Sequence, residues 1–225
     1  MRMTQAGAES RFLRQLDLVP MGALEKAHVS VIGVGGLGSF AALTVAKMGI
    51  GMLDLYDGDT VEEHNVPNQV YGPGAVGRMK VEACADVLRN LVDDISLSPR
   101  MYNVYSDMVL QAPIIVTCVD SMEARAEIWK AIKQSPAVEA VIDARAGAEQ
   151  LRFIYAPVTE SVRYEKTLYT DEDALPLPCT ARAIIYTSFV AGGIIASLVK
   201  AHLTGKGGTF RDWSMDIPTL NTLTL

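Results

Sequence analysis

The sequence predicts an α/β fold: an open sheet, mainly parallel, with antiparallel strands in its C-terminal part. Three observations predict it. Short apolar or β-branched runs alternate with segments of helical period through the first 145 residues, as buried parallel strands joined by crossover helices do. A glycine-rich turn joins the first run to the first helix-forming stretch. Two later runs, 113–119 and 138–142, are each followed by an aspartate, Asp120 and Asp143, and open sheets bind ligands at the carboxyl ends of their strands.

Each element has its own local reason. Residues 28–34 form a β-branched run that flows into Gly33-Val34-Gly35-Gly36-Leu37-Gly38, and 39–48 has helix-forming composition: strand, glycine turn, helix. Residues 52–56 read as a second strand ending at Asp57. From 78 to 92, Val81, Cys84, Leu88 and Leu91 fall on one helical face. Residues 123–132 show helical spacing between the strands 113–119 and 138–142. After Arg145 the texture changes: 151–155 reads as a strand, 159–178 is polar and contains prolines, 183–199 is a largely apolar uncharged stretch, and 210–225 alternates as one or two strands do. The 183–199 stretch carries Tyr186, Thr187 and Ser188 and falls short of a full span of about 20 apolar residues, so a buried helix is expected rather than a membrane segment.

Composition narrows the function. The 225 residues are 49% hydrophobic and 20% charged, with a net charge of -6; they suffice for one substantial core. An acidic chain without a Lys/Arg cluster does not fit a nucleic-acid surface, because neutralising phosphates needs clustered cations. Cys84, Cys118 and Cys179 are too scattered for a disulfide framework, and no CxxC pair offers structural zinc. The first ten residues lack an apolar signal core. These features together predict a cytoplasmic protein.

Glycines let a backbone approach a phosphate closely, and the helix that follows presents free N–H groups and a partial positive charge. An acid such as Asp57 at the next strand end is placed to accept the hydroxyls of a ribose. At this level NAD and ATP both remain open, with a tight packing turn as the non-binding alternative.

A wider set of residues discriminates. Arg14-Gln15, the glycine turn, Asp57-Gly58-Asp59-Thr60-Val61, Asn65, Gln69, Gly77-Arg78-Met79-Lys80 and Cys118-Val119-Asp120 occur in this order. The set resembles the sulfur-carrier and ubiquitin-like-protein activating enzymes, the ThiF/MoeB family, and the resemblance covers essentially the whole chain.

The resemblance implies a Rossmann-like adenylation domain over residues 1–225, with an N-terminal helical arm (1–27), a nucleotide-binding half (28–145) and a partner-protein-binding half with a crossover loop (146–225). The implied ligands are ATP and magnesium. Gly33, Gly35, Gly36, Gly38, Asp57, Asp59, Asn65, Asn68, Gln69 and Lys80 would hold the nucleotide, and Asp120 the magnesium ion. Arg14 would reach the phosphates from the other subunit of a homodimer. The implied reaction is adenylation of the C-terminal glycine of a ubiquitin-like or sulfur-carrier protein ending in Gly-Gly, with Cys179 as the candidate acceptor for a thioester or persulfide; a helix N-terminus and Arg182 beside it would favour the thiolate. Adenylation must neutralise a triphosphate and place a metal, which explains the Lys80 ammonium and the Asp120 carboxylate.

Plainer readings stand beside these. Asp120 fits a helix N-cap, Arg14 a surface cation, Asn65 and Gln69 loop caps, and Cys179 a turn residue. Cys84 and Cys118 lie in apolar runs and read as core. The chain also departs from the family: Asn68 stands where an arginine is usual, with Arg78 the candidate substitute, and the paired CxxC motifs are missing, so magnesium is the one metal expected. Three other functions follow from these departures and from the shared turn: a non-catalytic partner of an activating-enzyme heterodimer, a tRNA-modifying dehydratase-like adenylating enzyme, and an NAD-dependent oxidoreductase. The last finds no hydride-transfer constellation downstream.

Overall fold

The computed structural model of the chain describes residues 11–15, 17–169 and 184–225. Its strands are His28–Ile32 (β1), Met52–Tyr56 (β2), Ser96–Arg100 (β3), Ile114–Thr117 (β4), Ala140–Gly147 (β5), Gln150–Pro157 (β6), Arg211–Asp216 (β7) and Thr222–Thr224 (β8). They form one sheet in the order β3-β2-β1-β4-β5-β6-β7-β8. The pairings from β3 through β5 are parallel, and those from β5 to β8 are antiparallel. The chain order reverses between β1 and β4, which opens the crevice where such sheets bind ligands.

The helices are Met21–Lys26 (α1), Gly36–Met48 (α2), Lys80–Leu91 (α3), Met122–Lys133 (α4), Ser161–Glu165 (α5) and Ile185–Leu203 (α6). Period-2 alternation sends neighbouring strand residues to opposite faces, and both faces are covered. Val31, Val116, Ile142 and Phe153 pack in one apolar cluster with Leu24, Val45, Leu88 and Ile195 from α1, α2, α3 and α6. Ile32, Ile115, Val141 and Ile154 face the other way, onto Ile128, Trp129 and Ile132 of α4 and Tyr164 of α5. Cys84 is buried in the first cluster and Cys118 packs against it; burial pushes both thiols up to about 12. They are core residues.

Helix α6 lies against α2 because Gly192 permits it. A methyl there would sit 2.8 Å from the Phe40 carbonyl oxygen; instead the Thr44 hydroxyl donates to the Gly192 carbonyl at 2.8 Å, and Phe189 stacks on Phe40 with ring centroids 4.3 Å apart. The helix is long and apolar enough to cross a membrane by length and composition alone. It buries one face, through Ala191, Ile195, Leu198 and Val199, and leaves Phe189 and Tyr186 exposed. The expected buried helix is therefore half-buried.

The structure corrects four other boundaries. Strand β3 was not anticipated: it is short, polar and holds Pro99, which an edge strand tolerates because one side of its ladder is open. Strand β5 does not stop before Asp143 but continues to Gly147, so the sheet runs unbroken across residue 145. The segment expected as a polar loop begins instead with helical turns at Val158–Glu160 and Ser161–Glu165, anchored by the fully buried Tyr164. Strand β4 ends at Thr117, three residues before Asp120.

Candidate functional site

The glycine turn closes over the carboxyl ends of β1 and β4. Gly33 has φ of 83°, a left-handed conformation that favours glycine, and a methyl on it would touch the Cys118 carbonyl at 2.9 Å. Gly38 is tighter: a methyl there would lie 1.7 Å from the Gly33 carbonyl oxygen. Gly35 has open space, its nearest neighbour being the Gln69 side-chain nitrogen at 3.8 Å. Two of these glycines are thus required by packing, and Gly35 is the one whose hydrogen faces room for a ligand.

Asp57 follows β2 directly and ties the turn down. Its Oδ2 accepts from the Val34 N–H at 2.9 Å and its Oδ1 from the Asp59 N–H at 2.9 Å. Each oxygen keeps acceptor capacity for a ligand hydroxyl. Burial pushes its carboxyl above the ordinary 3.8, opposed by the Lys80 ammonium and by the two backbone donors. Tyr71, also buried, donates its hydroxyl to the Val34 carbonyl from beneath. Sequence reading missed this phenol, which lies just after the Asn68-Gln69 pair.

Lys80 opens α3 and is drawn to the same place by the backbone: its N–H donates to the Asp59 carbonyl at 2.9 Å, and Thr60 bridges to Met79. Its ammonium pairs with Asp59 Oδ2 at 2.7 Å. Asp59 is largely exposed, so this pair is easily exchanged for a phosphate.

The neighbouring polar residues divide. Asn65 Oδ1 accepts from the Glu62 N–H at 3.0 Å and caps the turn Glu63–Asn68, the plainer of its two expected roles. Asn68 lies over Gly36, its side-chain nitrogen 2.9 Å from where a methyl would project, and its Oδ1 accepts from the Ser188 hydroxyl at 2.9 Å. Gln69 Oε1 is buried and, among the described residues, has no hydrogen-bond partner. Such an orphan acceptor calls for a donor from beyond the described residues. Arg78 does not replace the missing arginine: it bonds Asp86 at 2.6 Å on the exposed side of α3.

Asp120 stands exposed beyond β4. It is not the N-cap of α4; Ser121 is, its hydroxyl accepting from the Ala124 N–H at 3.1 Å. Among the described residues no three His, Cys, Asp or Glu side chains cluster as a metal cage. Magnesium rarely uses such a cage and is held by one or two carboxylates plus substrate phosphates, so the exposed Asp120 carboxylate, two residues past the Cys118 carbonyl that Gly33 packs against, fits it. The glycine turn, the orphan Gln69 oxygen and Asp57 likewise fit a nucleotide.

Arg14 lies elsewhere. It sits in the turn Leu13–Gln15, which is fastened to the far end of α2 by the Gln15 amide donating to the Met48 carbonyl at 2.7 Å. Helix α2 starts at the glycine turn and has 13 residues, about 18 Å of axial rise. Arg14 does not serve the turn of its own chain. Cys179 and Arg182 lie outside the described residues.

The largest feature unforeseen in the sequence is a buried ion cluster of Arg125, Asp143 and Arg145, where the carboxyl end of β4 pairs with the middle of β5. One signal was available: Arg125 falls on the apolar face of α4, three residues after Met122 and three before Ile128, where an unpaired charge would be prohibitive.

Comparison with known proteins bears on the family and the fold. A model described as the ThiF family matches residues 10–223. A ubiquitin-like modifier-activating enzyme 5 of Culex quinquefasciatus is 28% identical over 220 residues, covering 84% of this chain and 53% of its own. A molybdopterin-synthase adenylyltransferase of Salmonella typhimurium is 31% identical over 121 residues, 52% of this chain and 49% of its own. This chain spans about half of each. Among solved structures, E. coli MccB with AMPCPP and MccA superposes with a TM-score of 0.74 at 19% identity, over 99% of this chain and 73% of that one; at that identity the likeness concerns the fold.

Proposed function

This chain belongs to the ThiF family, and from that premise we propose that it adenylates the C-terminal glycine carboxylate of a ubiquitin-like or sulfur-carrier protein, using ATP and magnesium. The carrying observation is the convergence of Asp57 and Lys80 on the glycine turn, with the Gln69 oxygen beside it unpartnered among the described residues. In the reaction a carboxylate oxygen of the partner attacks the α-phosphorus of ATP, the bond from that phosphorus to the bridging oxygen breaks, and pyrophosphate leaves. Asp57 holds the ribose end, Lys80 exchanges Asp59 for phosphate oxygens, and the amides of the turn face the triphosphate. Bound magnesium, held by Asp120, would neutralise phosphate charge.

The remoteness of Arg14 from its own turn supports a homodimer in which this arginine serves the partner's site. Onward transfer through Cys179 belongs to the same reading, as does a cytoplasmic location, supported by three scattered cysteines; neither a nucleic acid nor a membrane has a part in it. The test is pyrophosphate exchange into ATP in the presence of small proteins ending in Gly-Gly. Exchange that requires the partner's carboxylate and is lost in Lys80→Ala supports the proposal; exchange with none of them sinks it.

A second reading, a non-catalytic subunit, is favoured by the neutral Asn68 held to Ser188 and by the engagement of Arg78 with Asp86. It expects Lys80→Ala to change nothing in a heterodimer's activity.

A further inference from the structure

Asp143 is completely buried and accepts five hydrogen bonds. Thr117 Oγ1 and Arg125 Nε each donate to its Oδ1 at 3.0 Å. Arg145 donates to Oδ2 through Nε at 2.9 Å and Nη2 at 2.7 Å, and the Tyr164 hydroxyl donates to it at 3.1 Å. One carboxylate thus faces two guanidiniums. It cannot satisfy all their N–H groups, so the remainder must find carbonyl oxygens or stay unpaired at a cost.

Apart from the Ala144 carbonyl of β5, which accepts from Arg125 Nη2 at 3.4 Å, those carbonyls belong to two particular segments. Arg125 Nη2 donates to the Val119 carbonyl and Nη1 to the Ser121 carbonyl at 3.2 Å, the residues on either side of Asp120. Arg145 Nη1 donates to the Thr167 carbonyl at 2.9 Å and Nη2 to the Thr167 hydroxyl at 3.0 Å, and its guanidinium lies 5.9 Å from the Tyr169 ring centroid. Residues 164–169 are the last described before 184.

We propose that the Asp143 carboxylate is a shared anchor that fixes the loop carrying Asp120 and the segment 164–169 to each other, making Arg125, Asp143 and Arg145 positioning residues of the magnesium-nucleotide site. A fully hydrogen-bonded buried network holds a single arrangement, because each alternative strands a charge. Displacing segment 164–169 pulls on Arg145, then Asp143, then Arg125, and so on the carbonyls flanking Asp120. The position of this segment of the partner-protein-binding half is thereby felt where the metal binds. This inference rests on the reading of Asp120 as the carboxylate that holds magnesium.

The test is calorimetric binding of the non-hydrolysable analogue AMPCPP to the full chain, with magnesium and with a chelator, beside thermal unfolding of the ligand-free protein. The variants are Asp120→Ala, Arg145→Gln and Tyr164→Phe. The quantity read is the ratio of the two affinities. Asp120→Ala is expected to bring it close to one, and Arg145→Gln to lower it about fivefold, the low end of coupling between linked sites, although Arg145 touches neither Asp120 nor its flanking residues. Tyr164→Phe, which deletes one hydroxyl and leaves the ion cluster, lowers it in the same direction by less. A merely structural role would reduce thermal stability and scale both affinities alike. Folded Arg145→Gln and Tyr164→Phe proteins with the wild-type ratio, alongside a collapsed ratio in Asp120→Ala, would overturn the inference and spare the magnesium reading; should Arg145→Gln not fold, Tyr164→Phe alone decides. An unchanged ratio in Asp120→Ala overturns the magnesium reading and the inference with it.

Discussion

Ser188, near the start of α6, donates a 2.9 Å hydrogen bond to the Asn68 carboxamide oxygen, and the other end of that amide rests over Gly36 at the N-terminus of α2. A neutral, tethered side chain therefore occupies the place beside the glycine turn where the family usually carries a cation, and the helix that follows segment 170–183 is pinned to the turn through it.

Releasing this tether separates its two roles. Ser188→Ala removes one neutral hydrogen bond, about 1 kcal/mol, and is expected to lower the melting temperature by about 2–4 °C. Adding Asn68→Arg supplies a charged donor, and ATP affinity measured calorimetrically should rise about tenfold, the low end for a hydrogen bond to a charged group. Unchanged affinity in the double variant would mean that position 68 does not face the phosphates.

The glycines divide into packing and binding positions. Gly38→Ala drives a methyl to within 1.7 Å of the Gly33 carbonyl, and overpacking of this kind costs about 1–3 kcal/mol or more; thermal unfolding should show it without ligand. Gly35→Ala meets nothing closer than 3.8 Å. Its melting temperature should stay near wild type while nucleotide-induced stabilisation, about 2.7 kcal/mol at a hundredfold excess over the dissociation constant, shrinks.

Lys80→Ala is expected to reduce partner-stimulated pyrophosphate exchange about a hundredfold, the scale of losing one preorganised donor to a developing charge. Thermal stability should barely move, because the ammonium's partner, Asp59, is 69% exposed and such pairs contribute about 1 kcal/mol at most.

Acidification should abolish nucleotide binding before it unfolds the protein. Burial raises the Asp57 carboxyl above 3.8, so this group takes up a proton early as pH falls. Protonated, it loses its charge toward a ligand, while the fold itself gains from relief of a buried charge. Burial also pushes Asp143 up, but Arg125 and Arg145 more than offset it and hold that carboxyl below 3.8. A depressed acid contributes stability above its unfolded pKa that is lost as pH falls through the folded one, here below pH 3.8. A pH series of ATP binding and thermal unfolding should therefore show affinity failing first; coincident loss of both would contradict the assignment of Asp57.

Mixing two inactive proteins tests the placement of Arg14. If each site combines Lys80 of one protomer with Arg14 of its partner, co-refolded Arg14→Ala and Lys80→Ala chains form mixed dimers with one intact site, and about a quarter of the wild-type exchange activity should return. No recovery would return Arg14 to the surface-cation reading.

Local signals carried a good part of the fold and site. The strand-turn-helix at Gly33 and the apolar runs before Asp57, Asp120 and Asp143 are short-range patterns, since they reflect the period of a strand buried on both faces and the backbone freedom of glycine. Strand β3 escaped because an edge strand with one open side needs neither apolar residues nor a complete set of N–H donors. The capping of α4 by Ser121 rather than Asp120 turns on one residue of helix phase, which apolar spacing does not resolve.

What the sequence by itself determined is the strand-turn-helix at Gly33 and the order of the apolar strands and helices that follow it, because each depends on neighbours within a few positions along the chain. Only the tertiary structure decided that Asn68 is held by Ser188, that Arg78 is spent on Asp86, that Arg14 lies a helix length from its own glycine turn, and that Asp143 is the buried acceptor for Arg125, Arg145 and Tyr164. Most of these relationships join residues far apart in sequence. The desolvation of a charge, which makes its partner obligatory, exists only once the chain has closed around it.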